Sequence, residues 1–153
     1  MLRTQFTDAL KTAMRAKDGR ATSTLRMILA ALKDKDIAAR GQGNADGIDD
    51  ASIMSMLQTM VRQRQESAEL YDKGDRPELA AQEREEIALI EGFLPKAMSA
   101  GEAEAAVVAV IGELGAASIK DMGKVMAELR ARYAGRMDFG KASGMIKSKL
   151  TGG

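Results

Sequence analysis

Apolar residues recur at spacings of three and four along most of this chain, and that spacing constrains the fold more than any other feature. Such a repeat places apolar side chains on one face of a helix, whereas the period-two alternation of strands is scarce here. The first example is a stripe near the start of the chain, formed by Leu2, Phe6, Leu10, Ala13 and Met14. The sequence therefore predicts an all-α fold.

Glycine, proline and helix-capping residues divide the periodic sequence into seven predicted helices, four before Pro95 and three after it. Pro95 disfavours helical backbone at the residue before it, so we place a domain boundary there. The prediction is an N-terminal four-helix domain over residues 1–94 and a C-terminal three-helix bundle over residues 97–153. Between the first two helices, Gly19 is predicted to supply the left-handed residue that ends the first helix.

The chain contains no histidine and no cysteine, and this absence excludes several kinds of chemistry. A thiolate nucleophile, a disulfide and a Cys/His zinc site all require residues that are missing. The commonest general base near neutral pH is missing as well. Neighbouring carboxylates such as Asp34 and Asp36 do not converge on one point of a helix, and we interpret them as solvated surface. The sequence predicts no catalytic residue, no metal ligand and no cofactor.

Three features of the sequence bear on where the protein works. The absence of cysteine fits the reducing cytoplasm. The N-terminal segment is amphipathic and carries Arg3, so we do not predict a secretory signal peptide. No uncharged apolar stretch is long enough to span a bilayer. We therefore expect a cytoplasmic protein without a membrane partner, and the patterns favour no particular oligomeric state.

Charge is distributed unevenly along the chain although its sum is close to zero. Residues 1–40 carry a formal charge of +5, residues 41–115 carry −9 and residues 116–153 carry +5. Basic segments at both ends of an acidic middle indicate an anionic partner.

The basic C-terminal region is the first candidate for binding such a partner. Lys120 and Lys124 fall opposite the apolar stripe of the sixth helix, so both are predicted to project into solvent. Flexible cations on a small bundle can follow a phosphate backbone, and the lack of an aromatic platform favours structured RNA over a single strand. The alternative is that these cations complement helix dipoles, or that Lys124 pairs with Glu128 one turn later.

Two other surfaces offer alternatives. The basic N-terminal helices can match the acidic third and fourth helices internally, which we favour over an external partner for them. The start of the third helix contains Met54 and Met56 and offers a groove for a partner protein, although methionine at helical spacing more often fills a core. A helical protein–protein adaptor is therefore the alternative to an RNA-binding protein.

Several short motifs are more specific than helical propensity alone would produce. The most specific are the run Asp121-Met-Gly-Lys-Val-Met126 and the later Gly135-Arg136-x-Asp138. The others are Leu25-Arg26-Met27, Met60-Val-Arg-Gln-Arg64 and Phe93-Leu94-Pro95-Lys96. Together these motifs resemble the GatB/YqeY family. The resemblance to YqeY-like proteins covers nearly the whole chain, and that to the tail of the GatB component of aspartyl/glutamyl-tRNA amidotransferase begins near residue 97.

The resemblance implies a four-helix unit followed by a three-helix unit, and a role related to tRNA. It also implies a link to carbon–nitrogen ligation with glutamine as the amide donor. Residues predicted to contact RNA come from the matching motifs or are added because of their positive charge. They are Lys120, Gly123, Lys124, Arg130, Gly135, Arg136 and Lys141. Gly123 would let a phosphate approach the helix closely, and packing against the seventh helix is the equal alternative.

The chain lacks the large catalytic domains that perform the amidotransferase chemistry, so its own residues would hold RNA and not react with it. We expect a stand-alone relative of the amidotransferase tail that binds tRNA or another structured RNA by phosphate neutralisation and shape. An amidotransferase or an aminoacyl-tRNA synthetase is a further candidate partner. An accessory subunit that activates an amidotransferase is the third hypothesis.

Overall fold

A computed structural model describes residues 1–152, so Gly153, the last residue of the predicted C-terminal domain, lies outside the described residues. This part of the chain forms seven α-helices and one short 3-10 helix and contains no strand, which confirms the predicted all-α class. No helix among these residues combines the length and the apolar character that crossing a membrane requires. The α-helices are α1 (Leu2–Arg15), α2 (Gly19–Gly41), α3 (Asp50–Lys73), α4 (Pro77–Glu91), α5 (Ala100–Leu114), α6 (Met122–Tyr133) and α7 (Phe139–Leu150).

The chain divides into two compact units, of which the first is Met1–Leu94 and the second begins at Pro95. In the N-terminal unit, short connections join α1 to α2 and α3 to α4, and the helices of each pair pack together. Their apolar faces meet in one core, whose largest fully buried side chains are Phe6, Leu25, Ile28, Ile53, Leu57 and Ile90.

Methionine contributes to this core, as its helical spacing predicted. Met56 and Met60 on α3 are buried, and Met54 is partly buried and packs against the same cluster. The start of α3 is therefore core, and it does not offer the exposed methionine groove that the adaptor hypothesis invoked.

The turn between α1 and α2 differs from its prediction. Lys17, and not Gly19, adopts the left-handed conformation, with φ of 56°. Gly19 is the first residue of α2, and the Asp18 carboxylate caps that helix by accepting a hydrogen bond from Ala21 N. Met14, placed on the buried stripe of α1, is half exposed.

The C-terminal unit is a three-helix bundle with well-defined helix ends. Ser99 forms a capping box with Glu102 at the start of α5, and Gly115 ends that helix in the left-handed conformation. A 3-10 turn, Ile119–Asp121, leads into α6, and Asp138 caps α7. The core that these helices share contains Val107, Val110, Val125, Leu129, Met137 and Ile146.

Candidate nucleic-acid interface

The seven residues predicted to contact RNA separate into two groups along α6. Lys120, Gly123 and Lys124 lie at or just before its first turn. The others lie in its second half or beyond its end, and they are Arg130, Gly135, Arg136 and Lys141. A helix of 12 residues is about 18 Å long, so the two groups would meet an extended ligand and not a single phosphate.

The lysines of the first group project into solvent as predicted, although Lys120 lies in the 3-10 turn before α6 and not on that helix. Lys120 and Lys124 are exposed and form no ion pair within residues 1–152. The pair proposed between Lys124 and Glu128 is absent, because Glu128 accepts instead from Arg132 Nε at 2.8 Å. Both ammonium groups are therefore available to an external anion.

One carboxylate stands near these lysines, but its role is to cap the turn. Asp121 accepts hydrogen bonds from the backbone N–H groups of Ala117 and Ser118, at 3.0 and 3.2 Å. These bonds, and then the charge of Lys124, hold the pKa of Asp121 below its usual value. The carboxylate thus fixes the turn that presents Lys120, and it only partly offsets the charge of Lys124.

Gly123 faces open space. It is exposed, and a Cβ added there would meet no neighbouring atom within 4 Å. Packing against α7 therefore does not account for this glycine, whereas close approach of a ligand to the helix backbone remains compatible with it.

We expect Gly123→Ala to raise the free energy of unfolding by about 0.5 kcal/mol, because alanine loses less backbone entropy in a helix and nothing here obstructs its methyl group. Urea unfolding followed by circular dichroism measures the change. The matched control is Ala127→Gly, at an exposed site one turn further along α6, which should lower stability by a similar amount. A Gly123→Ala variant less stable than the natural chain would contradict the open environment.

Two members of the second group have structural roles. Gly135 is buried, and its φ of 77° turns the chain between α6 and α7. Arg136 is half-buried, and its Nε donates to the carbonyl oxygen of Lys96 at 3.0 Å. Its own carbonyl oxygen accepts from Met98 N at 2.8 Å. Arg136 therefore ties the segment before α5 to this turn, an arrangement with no local sequence pattern.

The other two members of the second group are exposed. The guanidinium carbon of Arg130 lies 5.8 Å from the ring centroid of Phe139, so the cation rests on the first residue of α7. The Lys141 backbone N–H donates to the cap residue Asp138, while its side chain projects into solvent. Together they place two cations where α6 ends and α7 begins.

The cations of the C-terminal unit differ sharply in whether a carboxylate neutralises them. Arg132 pairs with Glu113 at 2.6 Å as well as with Glu128, and Lys149 lies 3.3 Å from Glu104. The cations that form no ion pair within the described part of the unit are Lys96, Lys120, Lys124, Arg130, Arg136, Lys141 and Lys147. Of these, Arg136 is engaged with a backbone carbonyl, and most of the others lie on α6 and α7 or at their ends.

Lys147 also belongs to this group, although no sequence motif indicated it. A short turn joins α6 to α7 and the two helices pack together, so α7 returns along α6. The exposed Lys147, near the end of α7, is therefore carried back toward the end of the hairpin that holds Lys120 and Lys124. Its placement depends on this tertiary return and not on a motif.

Of the ion pairs given below for the N-terminal unit, only the first joins the basic first two helices to the acidic α3 and α4, which is the internal match that we favoured. Arg20 on α2 donates to Glu85 on α4 at 2.5 Å, and Arg64 on α3 donates to Glu86 at 2.9 Å. Arg84 also pairs with Asp72 across the turn between α3 and α4. This match is incomplete, because the described structure provides no ion-pair partner for the basic residues Arg15, Lys17, Arg26, Lys33 and Lys35.

The interpretation of Asp36 as solvated surface is wrong. Asp36 is buried, and its carboxylate accepts from both terminal nitrogens of Arg3, at 2.5 and 2.7 Å. It also accepts from Ile48 N at 3.0 Å, while Arg3 donates to the Ile48 carbonyl oxygen at 2.7 Å. Gly47 packs so closely that any Cβ there would collide with the carboxylate. The cluster joins α1, α2 and the loop before α3, a structural role.

Geometry thus defines a small helical protein whose C-terminal bundle carries a surface of uncompensated cations. Among residues 1–152 no group of acidic side chains is suited to hold a metal ion. Residues 3–150 match the family described as Yqey-like protein, and the chain therefore belongs to the YqeY-like family.

Curated relatives carry the name Altered inheritance of mitochondria protein 41, mitochondrial. The relative from Lachancea thermotolerans is 34% identical over 95 residues, which cover 62% of this chain and 49% of the relative. The relative from Saccharomyces cerevisiae strain YJM789 is 32% identical over 85 residues, covering 56% of this chain and 44% of the relative. The matched region thus spans about half the length of these relatives.

The comparison contradicts the cytoplasmic location that the sequence predicted. The relatives from Lachancea thermotolerans and Saccharomyces cerevisiae are both named as mitochondrial proteins. The prediction rested on the absence of cysteine and of a secretory signal peptide, and neither feature distinguishes the cytoplasm from the mitochondrial interior.

Proposed function

We propose that the chain binds tRNA or another structured RNA through its C-terminal unit. The observation that carries this proposal is the set of exposed, unpaired cations on α6, α7 and their ends: Lys120, Lys124, Arg130, Lys141 and Lys147. Ion pairs in the same unit neutralise Arg132 and Lys149, so carboxylates are available nearby but do not cover these five. A polyanion would supply the missing negative charge.

The distribution of these cations favours recognition of a duplex backbone. They lie on both helices of the α6–α7 hairpin. They can therefore meet phosphates that are separated by about the length of one or two α-helical turns. The aromatic rings of the unit, Tyr133 and Phe139, are partly buried and pack against its core. In the part of the unit that the structure describes, no exposed ring is free to stack on unpaired bases, so phosphate contacts and shape would carry the binding.

The resemblance to the amidotransferase tail adds independent support. It starts near residue 97, close to where the C-terminal unit begins, and its most specific run contains Gly123 and Lys124 and directly follows Lys120. The open surface at Gly123 would let a phosphate reach the first turn of α6. With neither histidine nor cysteine in the chain, we assign it RNA binding and no step of amide transfer.

The test is a tRNA titration at about 50 mM and about 200 mM salt. We expect affinity to fall steeply with salt, because bound lysines release counterions from the phosphates. The double variant Lys120→Glu/Lys124→Glu should bind at least about tenfold more weakly and show a shallower salt dependence. The matched control is Lys33→Glu/Lys35→Glu, which makes the same change in net charge at exposed, unpaired lysines of the N-terminal unit.

Two outcomes would contradict the proposal. If the natural chain is folded but does not bind tRNA at either salt concentration, an RNA-binding function of this kind is excluded. Equal loss of binding in the two double variants would show that net charge governs binding and that the α6–α7 surface is not the site. The expected result is that the Lys33/Lys35 variant stays within about twofold of the natural chain, since its changes lie in the other unit.

A further inference from the structure

The N-terminal unit has a surface groove that the proposed RNA interface does not use. It lies between the end of α1 and the first half of α2 and has a cavity volume of about 610 Å³. Its apolar part consists of Met14, Met27 and Ala30, and its cations are Lys17 and Arg26. It is open to solvent, so a ligand would rest along it and would not be enclosed.

The apolar part of the groove is unusual for this chain because its methionines are exposed. Met14 is 51% and Met27 is 41% exposed, whereas Met56, Met60, Met126 and Met137 are buried in the two cores. Adjacent exposed methionines form an adaptable apolar surface, because the thioether side chain is flexible and polarizable. Such surfaces bind the apolar side chains of partner segments.

The two cations beside these methionines have no negative partner within the chain as described. Lys17 and Arg26 are exposed and form no ion pair, whereas Arg20, which lies between them in sequence, pairs with Glu85. The acidic face of α4 therefore neutralises Arg20 and leaves the groove positive. Its chemistry is complementary to a segment in which carboxylates flank apolar side chains.

Lys17 is also held in a conformation that a lysine disfavours. It follows the end of α1 with φ of 56°, the left-handed position that glycine usually occupies after a helix. Any side chain with a Cβ is strained there. Stability alone would favour glycine at this position. It therefore does not explain why a lysine, with its side chain at the mouth of the groove, is found there.

A phosphate group is a less suitable occupant than a carboxylate-bearing protein segment. The start of α2 would be the natural anion site, but the Asp18 carboxylate already caps it by accepting from Ala21 N. An apolar floor also contributes nothing to binding a phosphate backbone.

We propose that the α1–α2 groove docks an acidic amphipathic segment of a partner protein. Leucine-like side chains of that segment pack against Met14 and Met27, and its carboxylates pair with Lys17 and Arg26. The proposal is independent of RNA binding, since it uses residues of the N-terminal unit alone.

The experiment follows the methionine methyl groups of the full chain by NMR. The probe is a synthetic helical peptide of about 18 residues, with leucines on one face at spacings of three and four and glutamates flanking them. A second peptide carries lysine in place of every glutamate. We expect the acidic peptide to shift the methyl signals of Met14 and Met27, to leave buried methionines such as Met126 unshifted, and to outcompete the basic peptide.

Charge variants define the role of the cations. Lys17→Glu/Arg26→Glu should lower the affinity for the acidic peptide at least about tenfold, because two attractive contacts become repulsive. Lys33→Glu/Lys35→Glu is the matched control, since it changes two exposed cations of α2 that do not line the groove, and its effect should stay within about threefold.

Lys17→Gly separates docking from folding. We expect it to raise the melting temperature by about 2–4 °C, because glycine relieves the strain of the left-handed conformation. We also expect it to lower the affinity for the acidic peptide severalfold, because the lysine charge is lost. A lysine with only a structural role would not combine a gain in stability with a loss of binding.

Four results would overturn the proposal. The first is that the methyl signals of Met14 and Met27 do not shift at about 1 mM acidic peptide, and the second is equal binding of the acidic and basic peptides. The third is unchanged binding of the acidic peptide by the Lys17/Arg26 variant. The fourth is displacement of the acidic peptide from the groove by tRNA. The last would reassign the groove to nucleic acid. The first three results do not bear on RNA binding, and the Lys120→Glu/Lys124→Glu variant tests the C-terminal RNA surface whichever of the four is found, so the two proposals fail separately.

Discussion

Replacing Phe6 with alanine is expected to lower the free energy of unfolding of the N-terminal unit by about 3–5 kcal/mol. Phe6 is fully buried on α1, and its ring meets the ring of Phe93 edge to face, with the centroids 4.9 Å apart. The substitution removes the apolar ring, leaves a cavity between α1 and the end of the unit, and loses an aromatic pair worth about 0.5–1.5 kcal/mol. Urea unfolding followed by circular dichroism measures the total loss.

Met14→Ala provides a matched control on the same helix. Both residues belong to the stripe predicted for α1, but Met14 is half exposed, so its truncation should cost less than about 1 kcal/mol. Hydrogen exchange of the α1–α4 amides would assign the loss in Phe6→Ala to the N-terminal unit. Equal effects of the two substitutions would mean that the periodicity of α1, and not the burial seen in the structure, governs stability.

The contrast between these residues shows what periodicity can predict. Spacing places Phe6 and Met14 on one side of α1, but on an ideal helix Met14 lies about 80° around the axis from Phe6. A residue at the edge of a stripe is buried only if a neighbouring helix covers that edge. Coverage depends on tertiary packing, so the helix could be predicted from the sequence and the exposure of Met14 could not.

Helix ends were predictable where one side chain determines them. The caps formed by Ser99, Asp49 and Asp138 depend on residues three positions away, and such local chemistry is visible in the sequence. The turn after α1 was not predictable in this way. The preference for glycine indicated Gly19, but the chain adopts the left-handed conformation at Lys17.

In the candidate interface, too, features set by local sequence were predictable and features set by tertiary contacts were not. The exposure of Lys124 follows from the geometry of α6 and was predicted correctly, whereas Lys120 is exposed because of the 3-10 turn before that helix. The engagement of Arg136 with Lys96 and of Arg132 with Glu113 joins residues 40 and 19 positions apart. No local pattern indicates such partners, so a sequence motif identifies the cations of this bundle but not which of them are free to bind.

Asp36 is the clearest case of a residue that the sequence alone misplaces. Carboxylates are rarely buried unless paired, and its partner Arg3 lies 33 positions away. We expect Asp36→Asn to destabilise the N-terminal unit by about 3 kcal/mol, because it leaves the Arg3 guanidinium without its counter-charge and weakens the bond from Ile48 N. Asp34→Asn, at an exposed site on the same helix, should change stability by less than about 0.5 kcal/mol.

The pH dependence provides a second measurement of the same interaction. The hydrogen bonds from Arg3 lower the pKa of Asp36 from 3.8 to about 2, so the unfolded chain takes up this proton before the folded chain does. The contribution of the shift is therefore fully present above about pH 5 and is lost as pH falls through about 2. The difference in unfolding free energy between the natural chain and Asp36→Asn should shrink by roughly 2 kcal/mol over that interval. A difference that stays constant with pH would show that Asp36 stabilises the unit by packing and not through its charge, because only an ionised carboxylate couples folding to the proton.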